Sequence, residues 1–268
     1  DALLNTSIGE LAGDAHTTGY SNIAIGYNAL SANTTGSENV ALGDKALDAA
    51  TTVNRNTAIG YESLTDNTTG AQNTAIGAKT LANNTTASYN TAVGSGSLEI
   101  NTTGANNSAF GQGALYANTT ASTNTAVGHQ ALVANTTGTE NNAVGANSLD
   151  ANTTGSYNNA FGNGALGSNT TGNYNVAVGR NALTANTTAE HNTALGYSTL
   201  WANQTGGQNT AVGYNALNAN TVGDNTAVGF KALQANTTGT NNVGVGASAL
   251  TANTTGSFNV AMGQDAGT

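Results

Sequence analysis

The stretch Asn209-Thr210-Ala211-Val212-Gly213-Tyr214-Asn215-Ala216-Leu217-Asn218-Ala219-Asn220 decides the fold, because close variants of it fill the whole chain. Its glycine recurs sixteen times, at residues 9, 26, 43, 60, 77, 94, 111, 128, 145, 162, 179, 196, 213, 229, 246 and 263. Every interval is 17 residues except the 16-residue interval between Gly213 and Gly229. A fixed period of this size is typical of a solenoid, in which each unit packs only on its neighbours.

We number the repeat positions one to seventeen from its first asparagine, so that Asn209 is position one and Gly213 is position five. Position one is Asn and position five is Gly in all sixteen copies. Position nine is Leu in every full copy except the first, which has Gly13, and positions thirteen and fourteen are usually a Thr pair.

Composition excludes several classes of protein. The 268 residues include only five basic and fourteen acidic ones, for a formal net charge of −9. Five basic residues cannot build the positive surface that nucleic acids or anionic membranes require. There is no cysteine for a disulfide or a thiolate metal site, and no apolar run approaches the ~20 residues that span a bilayer.

The repeat chemistry predicts strands. Frequent Gly, Asn and Thr prevent a sustained 3.6-residue apolar period, whereas positions one to five and seven to twelve each fit a short strand. The Asn-Thr-Thr-Gly-Ser segment fits the longer connection. We therefore predict an all-β parallel β-solenoid, or β-roll, of about sixteen 17-residue turns with two short strands per turn. It would form one repeat domain over residues 1–268, with more charged and irregular turns over 1–66, and would be a segment of a longer fibre.

The invariant positions are predicted to be structural. Stacked Asn side chains can hydrogen-bond along the solenoid axis, and Gly tolerates positive φ and close backbone packing. We assign this ladder role to Asn56, Asn73, Asn90, Asn124, Gly60, Gly77, Gly94 and Gly128. The Asn-Thr-Thr triplets also match the N-glycosylation sequon, but closely stacked turns would leave little room for glycans.

The apolar pattern suggests lateral association. If large residues at positions four and nine fill the interior, positions three and eight face outward, yet they stay small, as at Ala24 and Ser63. A restriction to small residues on an outer face indicates that another surface approaches it. We therefore expect a laterally packed homo-oligomer.

Exposed aromatic residues are the candidate partner-binding residues. Tyr197, Trp201 and Tyr214 form the densest such group and could stack on a sugar or anchor a protein. The competing interpretation is that they cover turn edges and fill gaps between chains.

No catalytic or cofactor chemistry is predicted. The three histidines fall in well-separated turns, and no nucleophile–base pair or deep pocket is expected. Asp44, Asp48, Glu62 and Asp66 lie in consecutive turns, where a solvated charge patch competes with a calcium site. We expect no enzyme activity, no cofactor and no metal.

The repeat also resembles a known family. Asn56-Thr57-Ala58-Ile59-Gly60 and Asn22-Ile23-Ala24-Ile25-Gly26 resemble the Asn-Ser-Val-Ala-Ile-Gly core of YadA-type trimeric autotransporter adhesin heads, and similar repeats occur in phage tail-fibre-like surface proteins. The resemblance implies a left-handed β-roll, three chains side by side, and an extracellular location on a cell surface or virion. The sequence departs from the family by its longer unit, with Asn-Thr-Thr-Gly inserted in one connection.

Three functions remain open at this point. The first is a structural and adhesive fibre segment, a homotrimer that attaches to a surface glycan or another host-surface ligand without inserting into a membrane. The second is an ice-binding solenoid that uses its Thr arrays. The third is a filament subunit whose turns stack head to tail.

Overall fold

A computed structural model of the chain describes residues 3–268. It is an all-β parallel solenoid, which confirms the predicted fold class. The described residues form two compact units, one ending at Thr137 and the other beginning at Gly138, within a Thr-Thr-Gly connection. Residues 3–268 include no helical segment with the length and apolar character of a membrane span.

The first unit contains eight three-residue strands, and each pairs in parallel with the next in chain order. The register is strict, because equivalent repeat positions face each other in every pair, as Ala58 does Ala75. The strands are β1 (Thr6–Ile8), β2 (Ile23–Ile25), β3 (Val40–Leu42), β4 (Thr57–Ile59), β5 (Thr74–Ile76), β6 (Thr91–Val93), β7 (Ser108–Phe110) and β8 (Thr125–Val127).

The second unit repeats this arrangement with eight more parallel strands in chain order. The register survives the 16-residue turn, since Ala211 still faces Ala227. The strands are β9 (Asn142–Val144), β10 (Asn159–Phe161), β11 (Val176–Val178), β12 (Thr193–Leu195), β13 (Thr210–Val212), β14 (Thr226–Val228), β15 (Val243–Val245) and β16 (Val260–Met262).

Each turn contains one strand, whereas we predicted two. The expected second strand, at positions seven to twelve, is a series of tight turns instead. Positions seven and nine adopt the left-handed conformation, as at Lys45 (φ 56°) and Leu47 (φ 55°), which is incompatible with an extended strand. These segments still stack, because the Leu47 amide donates to the Ser63 carbonyl at 2.9 Å in the next turn.

The fourteen left-handed leucines at position nine need a compensating source of stability. The left-handed conformation costs an L-residue about 1–2 kcal/mol. Full burial of a leucine side chain stabilises by about 1.5–3 kcal/mol. Thirteen of the position-nine leucines are fully buried, from Leu30 to Leu233. Burial therefore offsets the backbone strain.

The interior differs from the prediction. Position three points inward, and its alanines, such as Ala58, are fully buried, as are the small residues of position eight, such as Ala46 and Ser63. Position four points outward instead, with Phe110 41% exposed. A side chain added at Gly244, a position-three residue, would lie 3.2 Å from Leu233 Cγ, so position three packs on the leucine column.

This correction has a simple physical cause. A 17-residue turn with one three-residue strand encloses room for one large side chain, and the leucine fills it. Positions three and eight are small because they face that leucine, not because a second chain approaches them. The argument for lateral packing from these two positions is therefore wrong.

Candidate functional site

The predicted asparagine ladder is present at position one. The Asn73 side-chain oxygen accepts the Asn90 amide at 3.0 Å, and Asn56 accepts the Asn73 amide at 2.9 Å. Each side-chain nitrogen also closes its own turn, as when Asn56 donates to the Gly70 carbonyl at 2.9 Å. Asn124 takes the same place, since its amide donates to the Asn107 side chain at 3.0 Å.

A second ladder runs through position twelve. The Asn84 side chain donates to that of Asn67 at 2.9 Å, and Asn101 donates to Asn84 at 3.0 Å. These asparagines belong to the Asn-Thr-Thr triplets and are fully buried. Their amide nitrogens are engaged inside the stack, which favours the structural interpretation of the triplets over a glycosylation site.

The predicted ladder glycines have the conformation expected of them. Gly60, Gly77, Gly94 and Gly128 have φ between 123° and 137°. A Cβ added at Gly60 would lie 2.5 Å from the Gly77 carbonyl oxygen of the next turn. Both the backbone angle and the close approach therefore require glycine.

The Thr pairs are used within the stack. In most turns the first hydroxyl of the pair donates to the equivalent carbonyl of the next turn, as Thr68 does to Thr85 at 3.0 Å and Thr102 to Thr119 at 3.0 Å. These hydroxyls support the connection, so they are poor candidates for ordering water.

The three candidate partner-binding residues do not form one cluster. Tyr197 and Tyr214 stack with ring centroids 5.4 Å apart, and Phe230 extends the stack at 5.4 Å from Tyr214. Lys231 Nζ lies 5.3 Å from the centre of the Phe230 ring. Trp201 is 47% exposed and joins no aromatic pair among the described residues. Phe230 was not included in the predicted group, although it shares position six with both tyrosines.

The outer face of each strand forms an uncharged surface. We call positions two and four the sheet face. Position two carries Thr, Ser, Asn, Val or Ile, and position four carries Ile, Leu, Val, Phe or Met in all sixteen turns. No residue at either position is buried. The sixteen position-four residues are apolar without interruption, eight in each unit, and they form an apolar stripe on the surface of each unit.

A second aromatic stack lies at position seventeen. The Tyr157 and Tyr174 rings are 4.9 Å apart and parallel within 1°, and His191 follows at 5.1 Å. The next residue at this position is Gln208, so the aromatic stack ends at His191. From the sequence, His191 was placed only in a turn well separated from those of the other two histidines, so its stacking on Tyr174 was not predicted.

The stack ends beside a notch of about 510 Å³, which is open to solvent. The notch is lined by Glu190, His191, Thr205, Gly206, Gly207, Gln208, Thr221, Val222, Gly223 and Asp224. It coincides with the one 16-residue turn, so the break in the repeat has a visible structural consequence.

Hydrogen bonds locate the missing residue at position fourteen. In regular turns the position-one side chain donates to the carbonyl of position fifteen, whereas Asn209 donates to Val222 at 2.9 Å. The Asp224 amide then donates to Gly207 at 3.1 Å, a bond from position seventeen to position sixteen of the preceding turn. Val222 therefore occupies position fifteen and Gly223 position sixteen, and the second Thr of the pair is absent.

The acidic group of the first turns lies among basic side chains. Glu62 lies 3.9 Å from Lys45 and 4.0 Å from Lys79, and Arg55 contacts Glu38 at 2.6 Å. This is the arrangement of a solvated charge patch. Over residues 3–268, no three or more His, Asp or Glu side chains are placed to hold a metal ion.

Four titratable groups among the described residues depart from their ordinary pKa values, and none of them lines the notch. A side-chain hydrogen bond with Glu38 raises the pKa of Arg55. Burial lowers the pKa of His16, whose Nε2 is buried without a partner. Burial raises the pKa of the Asp150 carboxyl, and a hydrogen bond with Glu62 raises the pKa of Tyr61. They are too far apart in the repeat to act together.

No protein-family model and no curated protein matches the sequence. The function therefore has to be argued from the surfaces described above.

Proposed function

We propose that the protein is a non-catalytic structural and adhesive segment of an extracellular fibre, on a cell surface or a virion, whose copies associate through the sheet face. The observation that carries the proposal is that this face has no charged residue in any of sixteen turns, in a chain of net charge −9. Identical chains repel each other less where they carry no charge, and burying the apolar stripe would stabilise their association.

A second copy of the same chain is the partner that fits this face. The ridges of the sheet face repeat once per turn, at the strand spacing of about 4.8 Å. Another copy has the same spacing and could align its ridges over many turns. The resemblance to trimeric adhesin heads leads us to expect three copies.

Solution mass tests this proposal. Light scattering after size exclusion should give about three times the monomer mass. Replacing Ile76 and Phe110 with Glu should shift the protein to monomers, because both side chains lie exposed on the sheet face. Thr69→Glu with Thr103→Glu is the matched control, since it adds the same charge at exposed connection residues. A monomeric wild-type protein would overturn the proposal.

Attachment to other surfaces is assigned to the exposed aromatic residues. The stack of Tyr197, Tyr214 and Phe230 and the exposed Trp201 offer apolar contact area outside the sheet face. Replacing all four with Ser should weaken attachment and leave the solution mass unchanged. Unchanged attachment would remove these residues from the proposal.

Ice binding is the second candidate, and one observation favours it. Thr57, Thr74 and Thr91 stand side by side at position two on the sheet face, and their hydroxyls make no hydrogen bond within the described residues. Regular hydroxyls beside methyl groups could order water. Thermal hysteresis of a monomeric protein would favour this function over self-association, and long end-to-end rods under negative-stain microscopy would favour the filament.

A further inference from the structure

We propose that the notch at the shortened turn is a binding site for a neutral carbohydrate. The notch forms because one residue and two side chains of the regular repeat are missing there. The second Thr of the pair is missing between Thr221 and Val222, and position sixteen is glycine in two successive turns, at Gly207 and Gly223. Elsewhere position sixteen usually carries Ser, Ala, Thr or Asn, so regular turns have atoms where the notch is empty.

Two backbone donors at the notch have no partner among the described residues. In about half of the regular turns the position-sixteen amide donates to the position-sixteen side chain of the next turn, as Ala105 does to Ser122 Oγ at 3.0 Å and Ala71 to Ser88 Oγ at 2.9 Å. The corresponding next residues for Glu190 and Gly207 are glycines, which have no side chain to accept. Neither amide makes a hydrogen bond within the described part of the chain.

Hydrogen-bond acceptors line the same notch as these donors. Asp224 is exposed at the rim, and the half-exposed Glu190 carboxylate is held by the Asn173 side chain, which donates to its Oε1 at 2.7 Å. Glu190 Oε2 lies 4.0 Å from His191 Nδ1. Gln208 adds an amide that can both donate and accept.

This mixture selects the ligand class. A cation would meet the two amide donors, and an anion would meet two carboxylates. A sugar hydroxyl suits both, because it donates to a carboxylate and accepts from an amide. His191 ends the aromatic stack, so the ring face opposite Tyr174 has no aromatic neighbour and can pack on the C–H face of a sugar ring. The volume and open form of the notch suit a terminal sugar of a longer chain.

The site belongs to repeat positions other than those of the sheet face, so it does not depend on self-association. A monomer that binds sugar would support this inference and contradict the proposed function. An oligomer that binds no sugar would contradict this inference and support the proposed function.

The test uses saturation-transfer NMR and calorimetry on the whole chain with free glucose, galactose, mannose and N-acetylglucosamine. We expect at least one to bind with millimolar affinity. Glu190→Gln should weaken that binding at least tenfold. Glu140→Gln is the control, because it removes the same charge from an exposed residue outside the notch, and it should not change the binding. Inserting Thr between Thr221 and Val222 should restore the regular turn, fill the notch and abolish binding.

Several results would overturn the inference. They are the absence of binding by all four sugars, binding unaffected by both Glu190→Gln and the insertion, or preferential binding of calcium or phosphate. If the inserted chain does not fold, Glu190→Gln and Asp224→Asn still decide the matter, because both substitutions keep the size of the side chain. Their thermal unfolding should match that of the wild type.

Discussion

Removing one asparagine from the position-one ladder should destabilise the solenoid far more than removing an exposed asparagine one turn away. Asn90 is fully buried, and its side chain serves two groups. Its nitrogen donates to the Gly104 carbonyl at 2.9 Å, and its oxygen accepts the Asn107 amide at 2.9 Å. Asn90→Ala leaves both of these buried groups without a partner.

The cost follows from those two groups. An unsatisfied buried donor or acceptor costs about 1–3 kcal/mol, so the pair costs about 2–6 kcal/mol, and we expect about 4 kcal/mol. Asn83→Ala is the matched control, because Asn83 is exposed at position eleven, which is Ala in most turns. Surface substitutions of this kind change stability by less than about 0.5 kcal/mol.

Denaturant unfolding followed by circular dichroism measures the global effect. Because long repeat arrays can lose two-state behaviour, hydrogen exchange at the Asn107 amide measures the local effect. A loss of about 4 kcal/mol corresponds to exchange roughly a thousandfold faster. The ladder argument is refuted if Asn90→Ala falls within about 0.5 kcal/mol of Asn83→Ala. Asn90→Asp should also destabilise, and more so at higher pH, because a buried carboxylate would face the Gly104 carbonyl.

Three further predictions concern backbone, core and pH. Gly94→Ala should destabilise the protein by about 2 kcal/mol or more in denaturant unfolding, because the φ of Gly94 is 123° and a Cβ would lie 2.6 Å from the Gly111 carbonyl carbon. Gly113→Asn is the control and should be tolerated, because the φ of Gly113 is 67° and the nearest atom to an added Cβ is 3.6 Å away. Leu132→Ala should lower the free energy of unfolding by about 2–5 kcal/mol, and a smaller loss would mean that the interior collapses around the cavity. Burial lowers the pKa of His16 below its ordinary value of 6.5, so the unfolded chain binds the proton more readily than the folded chain does. The free energy of unfolding should therefore fall as the pH drops below about 6.5. His16→Asn introduces the usual residue of position twelve and should remove that decline, as measured by unfolding scans at pH 5 and 7.

The aromatic and notch residues show where sequence reasoning stopped. Tyr197 and Tyr214 could be paired from the sequence because one repeat period separates them. The notch could not be placed, because the 16-residue interval between Gly213 and Gly229 does not by itself show which position of the turn is absent. The bond from Asn209 to Val222 was needed to move it to position fourteen. A consecutive pair of glycines at position sixteen was the signal that could have been used.

The sequence by itself determined the period, the parallel register, and the roles of the asparagine and glycine ladders. A 17-residue repeat brings equal positions together in any solenoid, so Asn56 and Asn73 had to meet whatever the shape of the turn. Only the tertiary structure decided which positions face inward. Positions three and four point to opposite faces of the strand, and which of them points inward depends on how much room the turn encloses. Left-handed residues at positions seven and nine tighten the turn until it holds one leucine, and that space admits Ala58 but leaves Ile59 facing solvent.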